Sequence, residues 1–403
     1  MIPGREADAI EFVLELGRAL HRYGTPADRL EQGLMTVCKR MGLEAEVFTT
    51  PTTIIMSFGD PTALRTRMLR VSGGELDMDK LGRLDALADA VADGSIPPAE
   101  GVDRLATILA APPCYGTPLV TVMTAVASGG MAVFLGGTLA DVVLAAAIGL
   151  ALGVLALFAQ RSTDQARVFE LVGAALAASV AGLVSAAWHS ITPSLVTLAS
   201  LIVLLPGLSL TVAMTELATR NLIAGTARLM SAVIVLLELV LGVAVGERLA
   251  QRLVTVHLAA PHPLPPAAQW LALIATAVSI AIVVQSPVRA IGWILAASVL
   301  AYLGSSVGAS WLGPELGVVV GAFALGVLGN FYARLLQRPA QLVLVPAVLV
   351  LVPGSVGFRG LVSLLGHDTL TGVETVFSMF IVATSIVAGL LMANAVVSPR
   401  RSL

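Results

Sequence analysis

LIVLLPGLSLTVAMTELATRNLIAGTARL at residues 201–229 and LVLVPGSVGFRGL at residues 349–361 each interrupt an apolar run with a Pro-Gly pair. Pro206-Gly207 returns as Pro353-Gly354 at an offset of 147 residues, and the same offset carries Gly225 onto Gly372, Ser231 onto Ser378 and Gly242 onto Gly389. Upstream it carries Pro118 onto Pro265 and Gly182 onto Gly329. Self-similarity at a fixed period marks two copies of one structural unit. Each copy reads as five membrane-crossing segments, an odd number, so the second must enter the bilayer from the opposite side. Inverted repeats with helices broken at matching places are a common construction of secondary transporters.

The composition fits a membrane protein. Of 403 residues, 57% are hydrophobic and 12% charged, and the mean hydropathy is +0.90, far from ordinary soluble usage. Residues 1–111 hold 12 of the 24 basic and 17 of the 26 acidic side chains, a local net charge of −5. The remaining 292 residues carry 12 basic and 9 acidic groups, too few to coat a soluble surface. A water-soluble domain over 1–111 and a lipid-embedded part from 112 onward follow from this division. The small net charge and the lack of a long basic block argue against nucleic acid. Cys38 and Cys114 are isolated, so neither a disulfide framework nor a zinc site is indicated, and no metal or cofactor is expected. The acidic, amphipathic start MIPGREADAIEFVLELGRAL is not a signal peptide, which leaves the first domain in the cytoplasm.

Within that domain, helical periodicity covers 5–22 and 26–41, with Gly24-Thr25-Pro26 between them. Strand character follows at 44–50, 52–58 and 66–71, then helices at 77–92 and 98–110. The spacing predicts a compact α/β domain closed by Pro112-Pro113. Apolar segments of about 20 residues, enough to cross a bilayer, follow at 117–135, 139–159, 168–188, 194–211 and 229–247. A second set lies at 268–284, 288–305, 315–335, 341–358 and 375–396. The fold expected is an α-helical polytopic membrane protein of ten transmembrane helices. Two inverted five-helix repeats, at 112–255 and 256–403, are preceded by the small cytoplasmic domain. Nine arginines (161, 167, 220, 228, 289, 334, 338, 400 and 401) then fall inside and three (248, 252 and 359) outside, which predicts both termini in the cytoplasm.

The Pro-Gly pairs are the first functional candidates: Pro206, Gly207, Pro353 and Gly354. Proline removes a backbone donor and glycine accepts unusual dihedrals, so the pair can open a helix and free backbone groups for a polar solute. Such backbone survives at membrane depth only where protein or water surrounds it. A simple proline kink explains one such pair, but not two at matching places. After the first break, Thr211, Thr215, Glu216, Asn221, Gly225 and Arg228 supply polar and small groups at helical spacing, which an ordinary amphipathic helix would also do. After the second, Arg359 and Gly360 follow closely, and a guanidinium there suits a carboxylate, unless it snorkels to the interface. Glu238 lies midway along the fifth segment. A carboxylate at that depth costs at least ~2.5 kcal/mol on insertion scales, so it should face the bundle interior or be protonated, and it could exchange protons or hold a neighbouring helix. His21 is the only histidine of the first domain, and no GxSxG, P-loop or GxGxxG is present, so catalysis there is not expected.

LGRALHRYGTPADRLEQGL, PTTIIMSF, the run from Arg70 to Leu81, TELATRNLIAGTARL and LVPGSVGFRGL together resemble the threonine/serine exporter family of bacteria and fungi. The likeness covers nearly the whole chain. Where that family tends to carry Asp after the first Pro-Gly, this chain carries Glu216. The related two-component succinate exporters look like the same architecture divided between subunits. The resemblance implies efflux of small hydroxy amino acids, threonine and serine, driven by the proton motive force across the inner (plasma) membrane. A C4-dicarboxylate exporter is the alternative, ahead of a membrane-anchored hydrolase or a channel. A small-molecule substrate and the lipid bilayer are the partners expected, and a homo-oligomer is compatible with the sequence.

Overall fold

In Thr53–Phe58, Ile54, Met56 and Phe58 turn to the interior and their neighbours turn out, the period-two pattern of a half-buried strand. The computed structural model describes residues 3–60, 64–72, 74–255, 264–351, 354–365 and 368–399. Strands β1 (Ala45–Thr50), β2 (Thr53–Phe58) and β3 (Arg65–Arg70) form an antiparallel sheet in that order, with Thr50 opposite Thr53 and Phe58 opposite Arg65. Around it pack α1 (Pro3–Arg22), α2 (Ala27–Arg40), α3 (Met78–Ala92) and α4 (Pro98–Ala110). Phe12, Val13, Leu16 and Leu20 recur at helical spacing on α1 and are fully buried. Gly24, at φ +84, ends α1, and Pro26 presets the entry to α2. Asp77 starts α3 by accepting a hydrogen bond from the Lys80 amide at 2.9 Å.

The lipid-embedded part opens with α5 (Thr117–Phe134), α6 (Leu139–Ala159), the short α7 (Thr163–Arg167), α8 (Phe169–Ala187), α9 (Pro193–Ser200), α10 (Gly207–Ala218) and α11 (Leu222–Leu253). It continues with α12 (Pro266–Val283), α13 (Ile291–Leu312), α14 (Val318–Leu336), α15 (Gln341–Val348), α16 (Gly354–Leu365) and α17 (Thr369–Val396). Among the described residues nine helical spans are long and apolar enough to cross a membrane. Proline sits in the first turn of α5, α9 and α12, where its missing N–H costs nothing. A capping box starts α6: Thr138 and Asp141 bond each other's amides, and Asp141 also accepts from the Thr192 amide at 2.8 Å, tying the starts of α6 and α9.

One expected segment is not a continuous helix. Residues 194–211 read as a single span, but α9 ends at Ser200 and α10 begins at Gly207. Pro206 has no amide to continue a ladder, and the intervening backbone closes on itself through Leu204 N to Leu201 O and Gly207 N to Leu205 O, both 2.8 Å. The second copy behaves alike: α15 gives way to a 3-10 turn at Leu349–Leu351, and α16 starts at Gly354. Val352 and Pro353 lie outside the described residues. The fifth segment starts earlier than its apolar run, at Leu222 rather than 229, because Arg228 is matched by a protein partner.

Helix pairs close on small residues. A Cβ on Gly225 would meet the Leu217 amide nitrogen at 2.9 Å, and one on Gly372 would meet that of Leu364 at 2.9 Å, a pairing displaced by the same 147 residues. Gly242 and Gly246 let α11 approach the Ala174 and Ala178 turns of α8, and Gly389 does the same for α17 against Ala322 of α14.

Two apolar clusters form the interior. One lies within α5–α11 and takes in Phe358 and Met379. The other runs without interruption from the α/β unit into Ala281, Ala297, Leu325, Leu342 and Ile386. The unit's own core is therefore not closed on itself, because its lower face is completed by the second half. The amides of Met78 and Asp79 bond the carbonyls of Val284 and Gln285, and the Gln285 side chain bonds both the amide and the carbonyl of Tyr115. Cys38 belongs to this core at 1% exposure, and burial pushes its thiol pKa up to about 12. In native protein at pH 7.5 a maleimide should modify the exposed Cys114 and spare Cys38, and both should react once detergent unfolds the chain. Equal labelling of both in the native protein would contradict this packing.

Candidate functional site

Because both breaks stop short of a full span, they leave space between them. A cavity of about 940 Å³ occupies it, lined by Leu204, Leu205, Pro206 and Ser209 from the first break and by Leu349, Val350, Leu351 and Ser355 from the second. A cavity of this size accepts a small solute with room for water. Most of the wall is apolar, with convergent polar groups: Glu170, Arg228 and Ser231 from one half, and Thr276, Tyr302 and Ser305 from the other. His21 and Thr25 of the α/β unit complete the lining. Tyr302 is held by an edge contact with Trp270 and a tilted one with Phe134, at ring distances of 5.7 and 6.1 Å.

Of the residues singled out by sequence, Pro206 and Arg228 face this cavity. Gly207 is buried at the start of α10, and Gly354 precedes Ser355, which lines the wall. Thr211 and Thr215 do not join the lining: their hydroxyls bond back to the carbonyls of Gly207 and Thr211 at 3.0 and 2.9 Å. Asn221 is half-buried at the start of α11, and its amide bonds the Glu216 carbonyl at 2.8 Å. Gly225 and Gly360 are packing positions, since a Cβ on either would strike backbone of the neighbouring helix. Arg359 is exposed on α16. Glu238 is half-buried on α11, outside the cavity lining, and the charged group acting on it is Glu170, which does line the cavity.

Glu216 has no accessible surface, and its carboxylate is fully engaged. Arg228 donates to it through Nε at 3.0 Å and Nη2 at 3.2 Å, a fork that fits both oxygens. The third donor comes from the α/β unit, where the Ala27 amide at the N-terminus of α2 bonds Oε1 at 3.0 Å. The free amides of a first helical turn carry partial positive charge, so this end of α2 suits a carboxylate. Glu216 thus joins the unit to the first half.

The sequence reading missed His21 and Thr25. His21 is only 7% exposed, and its ring Nε2 lies 3.1 Å from the Thr50 carbonyl. Burial holds its pKa below the usual histidine range, the Thr50 bond working in the opposite direction, with Arg228 lowering and Glu216 raising it further. The available signal was HRYGT, inside LGRALHRYGTPADRLEQGL, one of the stretches that carry the family resemblance.

Two comparisons bear on this architecture. Residues 11–250 match a family model described as a threonine/serine exporter, and residues 269–396 match a second, "Threonine/Serine exporter, ThrE". The chain is 28% identical over 363 residues to "Pheromone-regulated membrane protein 10" of Saccharomyces cerevisiae (strain YJM789), covering 86% of this chain and 46% of that protein. A protein of the same name from Yarrowia lipolytica (strain CLIB 122 / E 150) is 27% identical over 364 residues, 87% of this chain and 30% of that one. The chain spans less than half the length of these relatives. No solved structure matches it.

Proposed function

The chain belongs to the threonine/serine exporter family, and we propose that it is a secondary exporter of threonine and serine, driven by the proton motive force. The observation that carries this reading is a cavity walled by both helix breaks. The proposed architecture is two inverted five-helix repeats, at 112–255 and 256–403, with the 1–111 domain and both termini in the cytoplasm of a plasma-membrane protein. Matched breaks and the matched Gly225 and Gly372 contacts support the repeat. Topology is checked by Leu139→Cys and Arg338→Cys in a background lacking Cys38 and Cys114. The first should label from outside and the second from the cytoplasm.

The lining charges favour a zwitterion over a dicarboxylate. Arg228 is already paired with Glu216, Glu75 is paired with Arg22, and Glu170 adds negative charge, so the described lining offers a dianion no spare cation. In proteoliposomes, threonine and serine should show counterflow and succinate should not. Counterflow of succinate alone would overturn the substrate assignment. Glu238 is the proposed coupling carboxylate, and Glu170, the charged group that acts on it, lies in the cavity lining. Glu238→Gln should then abolish gradient-driven efflux and spare exchange, which moves no net proton.

A further inference from the structure

The turn joining α1 to α2 contributes two residues to the cavity lining, each with a buried polar atom that has no partner. Gly24 N bonds the His21 carbonyl at 3.1 Å and Thr25 N bonds that of Leu20 at 3.2 Å, which fixes His21 and Thr25 side by side at the end of α1. The Arg22–Glu75 pair at 2.7 Å flanks the turn. Both residues line the cavity and are more than nine-tenths buried, at 7% and 4% exposure. Among the described residues nothing hydrogen-bonds His21 Nδ1 or Thr25 Oγ1. Leaving such atoms unsatisfied is costly, so native structures rarely keep them without a ligand, an ion or water to meet them.

The chemistry of the histidine is fixed by its other nitrogen. A backbone carbonyl only accepts, so Nε2, 3.1 Å from Thr50 O, must carry the proton. In the neutral ring, the form burial favours, Nδ1 is then a bare lone pair and can only accept. Thr25 beside it can donate or accept. The pair therefore calls for a ligand bearing hydrogen-bond donors together with an acceptor, which a small hydroxy amino acid supplies and a dicarboxylate dianion, with no donor, does not.

We propose that His21 and Thr25 form a solute subsite, in which the N-terminal domain itself binds the transported molecule by accepting from its ammonium or hydroxyl at His21 Nδ1 and bonding its polar groups through Thr25 Oγ1. This rests on the exporter reading and adds to it that the domain is part of the solute cavity. Glu170 and Ser209, from the membrane helices, line the same cavity.

The test separates the two ring nitrogens. A glutamine amide can reproduce the Nε2 donor toward Thr50 but has nothing at the Nδ1 position, whereas an asparagine carbonyl can reproduce the Nδ1 acceptor and loses the Thr50 bond. Full-length protein in proteoliposomes is assayed by threonine counterflow, with detergent gel filtration to confirm folding. If Nδ1 meets the solute, His21→Gln should raise the half-saturating threonine concentration about tenfold, the order expected for one lost hydrogen bond to a charged or buried group. His21→Asn should stay nearer to the native value. Thr25→Val should raise it comparably and Thr25→Ser should restore it. The reverse order, with His21→Gln native-like and His21→Asn impaired, or unchanged saturation in both His21→Gln and Thr25→Val, overturns the subsite while leaving the exporter reading intact. An unmodified protein that moves no amino acid overturns both.

Discussion

Replacing Glu216 with glutamine is expected to loosen the N-terminal domain from the membrane helices and to destabilise the protein by on the order of 3 kcal/mol. The amide keeps the shape but removes the charge that three donors converge on: Arg228 Nε, Arg228 Nη2 and the Ala27 amide. Glu216 is wholly buried and the Arg228 side chain 25% exposed, so the guanidinium keeps limited access to water once its partner is neutral. Removing one member of a buried pair costs more than the pair itself contributes, since the other charge stays behind. The readouts are the thermal midpoint and protease cleavage in the exposed linker around Pro112–Cys114, which should quicken severalfold. Glu216→Gln combined with Arg228→Gln should recover part of the loss, as coupled partners do. A single variant with native midpoint and native cleavage would show that this contact does not hold the domain.

Gly225→Val and Gly372→Val should each abolish transport, and to the same degree. At both positions a side chain would be driven into backbone: the Leu217 nitrogen at 2.9 Å and the Ala213 carbonyl at 3.0 Å for one, the Leu364 nitrogen at 2.9 Å for the other. A flexible side chain can swing away, but a helical amide cannot, so α10 must part from α11 and α16 from α17. Overpacking typically costs about 1–3 kcal/mol, and here it displaces the short helices that begin at the two breaks. Gly292→Val is the control, because a Cβ there meets open space. Counterflow together with gel-filtration profiles checks the expectation. If Gly372→Val transports normally while Gly225→Val does not, the two halves are not mechanically equivalent.

Much of this was legible in the sequence, for identifiable reasons. Span lengths follow from the bilayer, so Thr117–Phe134 and Leu139–Ala159 fell within a residue of expectation. The strands were readable because Ile54, Met56 and Phe58 alternate with outward-facing neighbours. The end of α9 at Ser200 was not, since Leu201 to Leu205 continue the apolar run and hydropathy is blind to a missing amide one turn later. The role of Glu216 was hidden for a different reason: its backbone donor Ala27 lies 189 residues away, and an amide has no signature in the sequence. His21 drew no functional role from the sequence because a single histidine on a helix carries no sign of which of its nitrogens is satisfied. Only the position of the Thr50 carbonyl separates the two.

The continuous core under the α/β unit bears on the order in which the protein is made. The ribosome delivers residues 3–110 before the membrane helices, yet the groups that cover their lower face include Ala281, Val284 and Leu342, delivered only from the fifth of the nine described spans onward. The amides of Met78 and Asp79, at the start of α3, likewise wait for the carbonyls of Val284 and Gln285. The α/β unit therefore emerges before the helices it packs on and reaches its final packing only after them. Until then it presents an apolar underside to the cell, and a nascent chain halted before residue 281 would be a client for chaperones and proteases rather than a half-built exporter.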